Sequence, residues 1–179
     1  ATYRGRVYAY PWMLGTRALY LNDDLFRRAG LDPAKPPETW EDLLRAARTI
    51  SERVPDAKGF GMNAGEREIL FKKFMPFAWG AGGTLLTPDG TASAFDSPAN
   101  VAGLEQYLAL AKLGRVERQE QVDDAFVDGK VGATISGSWL LRKAPKQAPD
   151  LRFGVSLIPP PALDRGRSAS FLGGALLVS

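Results

Sequence analysis

Apolar positions along the chain recur at two spacings, and the switches between them mark out short strands and helices in alternation. Residues 7–10 and 17–21 read as two strands. The intervening residues 11–16 combine turn formers with large side chains and read as a loop. Asn22 is placed to cap a short helix on which Leu25, Phe26 and Ala29 share one face and which Gly30 ends. Trp40, Leu43, Leu44, Ala47, Ile50 and Val54 fall at helical spacing, so residues 39–54 are a predicted amphipathic helix with Trp40 on its buried face. Thr39-Trp40-Glu41-Asp42 opens it as a capping box with Asp in place of the usual Glu.

Further along, residues 59–62 fit a strand, and 66–79 fit a helix kinked or broken near Pro76. Gly80-Ala81-Gly82-Gly83 stops that helix, and 84–95 read as a hairpin around Pro88-Asp89-Gly90. Ser97-Pro98 supplies an N-cap and first-turn pair for a helix to about Gly114, with Val101, Leu104, Leu108 and Ala111 along one side. A shorter helix over 120–128 presents Val122, Ala125 and Phe126. Residues 131–135 are a buried strand, Gly137-Ser138-Trp139 opens another helix, and 153–157 and 171–178 are strands separated by a proline-rich loop and a polar stretch over 164–170. This alternation predicts an α/β fold, a mixed sheet with helices on its faces. Both ends lie in extended apolar runs, an odd way for an independent domain to begin and end.

The 179 residues, 45% of them hydrophobic, suffice for one compact domain with a substantial core. The net charge of +3 raises the question of nucleic acid, but its distribution answers against it. Asp23-Asp24 precede Arg27-Arg28, and Glu41-Asp42 precede Arg45 and Arg48, so cations alternate with acids on solvated helix faces and form no stripe. Without Cys or His, the chain lacks thiolate nucleophiles, imidazole bases and the usual zinc or copper ligands, so neither a metal nor a cofactor is expected. No G-x-S-x-G elbow occurs, Gly129-Lys130 lacks the upstream glycine of a phosphate loop, and the glycines at 80–83 follow a helix where a dinucleotide motif would open one. An enzyme is therefore not expected. No run of about 18 apolar residues could cross a bilayer, and the first six residues lack the apolar core of a signal peptide, as a mature or excised segment also would.

Acid pairs stand at Asp23/Asp24, Glu66/Glu68 and Asp123/Asp124. The Asp pairs read as helix-cap and solvated-face acids, whereas Glu66 follows a glycine-bounded strand and is a candidate for a pocket rim. The aromatics are more informative, because the C–H faces of sugars stack on indole while their hydroxyls take planar polar partners. Trp12, in the loop between strands, is either a ligand platform or a cover for the core. Trp139 follows Gly137 and Ser138 at a strand-to-helix junction, where backbone N–H groups and an indole can both reach a bound molecule. Trp79 reads as core.

The ordered segments 5–11, 15–31 (Gly15-Thr16-Arg17 through Gly30-Leu31), 36–43, 79–83, 125–133, Ser136-Gly137-Ser138-Trp139 and Phe171-Leu172-Gly173-Gly174 resemble the family 1 extracellular solute-binding proteins, the maltose-binding-protein type. The likeness covers nearly the whole chain in the family's order. It implies a periplasmic-binding-protein type lobe: residues 1–179 as the second lobe of a two-lobed protein, with both ends in hinge-crossing segments and the first lobe outside this sequence. It further implies a periplasmic or extracellular receptor, lipid-anchored in some cases, that closes on a sugar, oligosaccharide or polyol and docks on the permease of an ABC importer. Carried over by position, Trp12 and Arg17 fall in or beside a loop of the ligand cleft, Trp139 where a stacking aromatic is frequent, and Gly173-Gly174 where the chain returns to the hinge. The family's frequent acid in the first loop is replaced here by Met13, Leu14 or Gly15. Two rivals stay open: a glycerol-phosphate-like anionic ligand held by Arg17 and Arg67, and a glycoside-acting enzyme using Glu66 with a second acid.

Overall fold

The structure, a computed structural model, describes residues 2–164, 166, 168–171 and 173–178, with the side chains of Tyr3, Pro11, Leu14 and residues 173–178 set aside. Its centre is a five-stranded mixed sheet in the order β6 (Gly114–Glu117), β5 (Lys58–Asn63), β7 (Val131–Gly137), β4 (Arg17–Asn22), β8 (Phe153–Ser156). β5 runs parallel to β6 and β7, and β4 runs antiparallel to both β7 and β8. β7 is buried along its whole length, as a central strand covered on both faces must be, and its small and β-branched residues suit that position.

Helices cover both faces. Leu19 and Leu21 of β4 point into a core shared with α1 (Asp23–Arg28), α2 (Trp40–Arg53), α3 (Arg67–Gly80) and α4 (Pro98–Lys112). Tyr20, between them, points the other way and packs with Phe126 of α5 (Gln119–Val127) and Leu140 of α6 (Leu140–Gln147). The local start signals operate as expected. Asn22 Oδ1 accepts the Leu25 N–H at 3.0 Å, and Thr39 and Asp42 close the capping box at 3.2 and 3.0 Å. The α/β class and the mixed sheet flanked by helices are thus observed.

Three expectations need correction. The predicted loop over 11–16 is mostly strand: β3 (Ala9–Gly15) pairs antiparallel with β9 (Gly173–Val178), with a register irregularity between Pro11 and Met13 that accommodates the proline. Its partner lies about 160 residues away, so no local pattern announced it. α3 is not broken at Pro76, one of the two outcomes expected there, but continues to Gly80, since burial of Met75, Phe77 and Ala78 outweighs the lost backbone bond. On α4 the expected apolar side is exposed except for Ala111, which packs against the core, Val101, Leu104 and Leu108 being 45%, 44% and 51% accessible. The buried side instead carries Asn100, Gly103, Gln106, Tyr107 and Leu110. Gly103 lies so close to α3 that a Cβ there would stand 2.7 Å from the Ala78 nitrogen, and Gln106 donates to the Trp40 carbonyl at 3.2 Å.

Two short features had no signal in the sequence, the β1 (Thr2–Tyr3) and β2 (Arg6–Val7) pair and the edge strand β6. The 84–95 segment turns at Gly90 (φ 73°) and is bridged at Leu86 and Ser93. Ala1, Arg165, Arg167, Leu172 and Ser179 lie outside the described residues, including Leu172 of the strand expected over 171–178.

Candidate ligand-binding site at the strand ends

The register brings one end of the sheet to a focus. β5, β6 and β7 finish there at Asn63, Glu117 and Gly137, and β4 begins there with Arg17 opposite Gly137. The carboxyl ends of parallel strands, where connecting segments splay apart, are the usual ligand end of open α/β sheets. β3 and β9 leave from the same end, with Gly15 opposite Gly173 and Leu14 opposite Gly174.

Asp123 of α5 organises this end. It is 2% exposed and accepts three hydrogen bonds: Ser136 Oγ at 2.9 Å and Gln119 Nε2 at 2.8 Å on Oδ1, and the Trp139 indole N–H at 2.7 Å on Oδ2. The Asp123/Asp124 pair was expected on a solvated face. Asp124 is, bonding Lys143 at 2.6 Å, whereas Asp123 is turned inward because its polar partners from β7 and α6 offset the cost of burial.

Trp139 is half-buried, and Gly137 makes its position available. A Cβ at Gly137 would lie 2.0 Å from the ring, so only glycine lets the indole lie on this backbone. The Arg17 guanidinium stands 4.8 Å from the ring centroid, and the Lys73 ammonium of α3 stands 5.6 Å from it. Lys73 is 2% exposed and donates to the Ile135 carbonyl at 2.6 Å. Burial chiefly, then the nearby Arg17 charge, lowers its pKa to about 7 against the pull of Asp123. Burial also lowers Arg17, opposed by Asp123, and raises the Tyr20 phenol, whose OH donates to the Gly137 carbonyl at 2.8 Å. Ser170 clamps the Arg17 backbone, accepting its N–H at 3.0 Å and donating to its carbonyl.

Glu66 sits beside this cluster at the start of α3. Its Oε2 accepts the Gln119 backbone N–H at 2.8 Å and the Asn63 amide at 2.6 Å, and Arg118 lies 3.8 Å from Oε1. The Gln119 bond, followed by that from Asn63, holds its carboxyl below the usual range while burial opposes them. Gln119 therefore ties Glu66 to Asp123, the first by its backbone and the second by its side chain.

Of the sequence-derived candidates, Arg17, Gly137 and Trp139 are in mutual contact, Ser138 is exposed in the turn between β7 and α6, and Gly173 and Gly174 lie on the strand leaving this end. Trp12 is 65% exposed on β3, three residues before Gly15, about 10 Å along the strand. Among the described residues, no ring contact joins it to Trp139. Trp79 stacks on Phe171 at 5.8 Å and packs against the core, and Arg67 is exposed. Sequence reasoning missed Lys73 and Asp123. Both left a trace, since Lys73 falls three residues after Leu70 and four before Phe77 on the inner face of α3, and Asp123 adjoins Val122. No group of three or more His, Cys, Asp or Glu among the described residues is disposed to hold a metal ion, and no described helix is long and apolar enough to cross a membrane.

Comparison with known proteins agrees with this architecture. The sn-glycerol-3-phosphate-binding periplasmic protein of Escherichia coli (strain K12) is 30% identical over 190 residues, covering 97% of this chain and 40% of that protein. An ABC transporter solute-binding protein from Thermotoga lettingae, solved with α-D-tagatose, superposes with a TM-score of 0.83 at 33% identity over 99% of this chain and 46% of its own. The cyclic α-maltosyl-1,6-maltose binding protein of Arthrobacter globiformis gives 0.83 at 30% identity, over 99% and 45%. The chain thus spans 38 to 40% of the length of the curated relatives it matches. Residues 1–177 match the bacterial extracellular solute-binding protein family, and the chain belongs to that family.

Proposed function

We propose that this chain forms the second lobe of a two-lobed receptor that takes a sugar, oligosaccharide or polyol into the cleft between its lobes and hands it to the permease of an ABC importer. The observation that carries this is the polar and aromatic cluster of Arg17, Trp139 and Asp123 at the carboxyl ends of β5 and β7, where β3 and β9 also depart. Those two strands supply the crossing segments, and the exposed Tyr10, Trp12 and Met13 of β3, with Tyr8 just before it, are the surface that the first lobe covers. The relatives' ligands, a hexose, a cyclic maltosyl sugar and glycerol phosphate, share a polyhydroxylated skeleton.

Capture proceeds without a covalent step. Of the two acids of the site, Asp123 has both oxygens taken by protein donors, and Glu66 has Oε2 taken twice with Oε1 facing Arg118 at 3.8 Å, so neither is the free carboxyl that a glycoside-cleaving pair supplies. Arg17 and the backbone around Ser138 take ligand hydroxyls, and indole surface takes the C–H face of the ring. The protein acts outside the cytoplasmic membrane, tethered by a lipid or free in the periplasm. Titrating the full-length protein with a panel of saccharides and polyols, followed by tryptophan fluorescence and calorimetry, tests this. Saturable binding of at least one member is expected, and its weakening by Trp139→Ala. Indifference to every member overturns the proposal.

A further inference from the structure

The charges that meet at the strand ends do not cancel. Lys73 comes from the middle of α3 and Arg17 from the first position of β4, and both face the Trp139 ring; Asp123 of α5 is the carboxylate set between them. Among the described residues, no further free acid adjoins them. Glu66 is engaged with Asn63, Gln119 and Arg118, and Lys72 adds a second ammonium on α3. The neighbouring phenols, Tyr20 of β4 and Tyr107 of α4, are kept protonated by burial. When Lys73 is protonated, Arg17 and Lys73 set two cations against the one carboxylate of Asp123 and leave one positive charge in excess.

We propose that Lys73 is a positioning residue that sets specificity: its buried ammonium, together with Arg17, makes the cleft wall select polyols bearing a phosphate or carboxylate over their neutral counterparts. This rests on the receptor reading given above. Lys73 does not touch the ligand, because its side chain is 2% exposed and its Nζ is bonded inward to Ile135. It acts through its field, which is weakly screened away from water, and by holding the wall one charge short of balance. A bound anion restores that balance.

A pH signature follows. With the free ammonium titrating near 7, an anion entering the cleft at higher pH draws a proton onto Lys73. Affinity for anions therefore weakens above about pH 7, by up to about tenfold per pH unit for one linked proton, while neutral polyols show no such slope.

The test uses the full-length protein and matched pairs, glycerol 3-phosphate against glycerol and galacturonate against galactose, with dissociation constants measured by calorimetry at pH 6, 7, 8 and 9. The expected result is tighter binding of the charged member of a pair, an advantage that falls as pH rises and that Lys73→Met reduces at least tenfold at pH 6 and makes independent of pH. Should that variant fail to fold, the wild-type pH series decides alone. An anion preference without pH dependence, or one that survives in Lys73→Met with its pH dependence intact, overturns the role of Lys73 and leaves the receptor standing. Preference for the neutral members does the same, and failure of all four ligands and the wider sugar panel removes the receptor reading itself.

Discussion

Replacing Asp123 by Ala removes the acceptor on which three elements converge. Ser136 Oγ, Gln119 Nε2 and Trp139 Nε1 lose their partner together, and Arg17 and Lys73 lose the carboxylate that offsets their repulsion. Each hydrogen bond to a charged group contributes roughly 1.5–3 kcal/mol, and the three are not additive because the carboxylate's own desolvation is recovered. The expected net loss is about 3–5 kcal/mol, the scale seen when one member of a buried charge cluster is deleted. Asp123→Asn keeps the shape but offers only one accepting atom to the three donors, so a smaller loss of about 2 kcal/mol is expected. Urea unfolding of the full-length protein at pH 7, followed by circular dichroism, measures both. A loss below about 0.5 kcal/mol for Asp123→Ala, the range of an ordinary surface change, would refute the view that this residue organises the site.

Lys73 should make stability depend on pH. Its folded pKa of about 7 lies below the ordinary 10.5, so the unfolded chain binds the extra proton between those values, and stability rises with pH from about 7 upward. The limiting slope is about 1.4 kcal/mol per unit, and urea midpoints from pH 6 to 9 should show it in the wild type and lose it in Lys73→Met. Gly137→Ala drives a Cβ into the Trp139 ring, so a loss of about 1–3 kcal/mol and an altered tryptophan emission are expected. Thr39→Ala opens the capping box of α2 and should lower thermal stability by about 1 kcal/mol, with ligand affinity unchanged.

The elements with local signatures were legible in the sequence. Asn22, Thr39 and Ser97 announced their helices because a cap is a short-range event between a side chain and an N–H two or three residues on. What the sequence concealed was set by distant partners. Residues 11–15 become strand only because β9 returns to pair with them, and the true inner face of α4 is defined by the close approach of Gly103 to α3 and by side chains that reach distant carbonyls. The site divides in the same way. Trp139, Gly137 and Arg17 stood out by type and by their place at element ends. Lys73 and Asp123 left only the faint trace of their apolar sequence neighbours, since the donors and acceptors that hold a buried charge come from distant elements.

The most direct measurement is a crystal structure of the full-length protein with a ligand selected from the panel. The account predicts a ligand at the carboxyl ends of β5 and β7, within hydrogen-bonding distance of Arg17 or the backbone at Ser138 and covered by a first lobe joined through β3 and β9. A ligand bound elsewhere on this lobe, or a first lobe packed against the other end of the sheet, would contradict it.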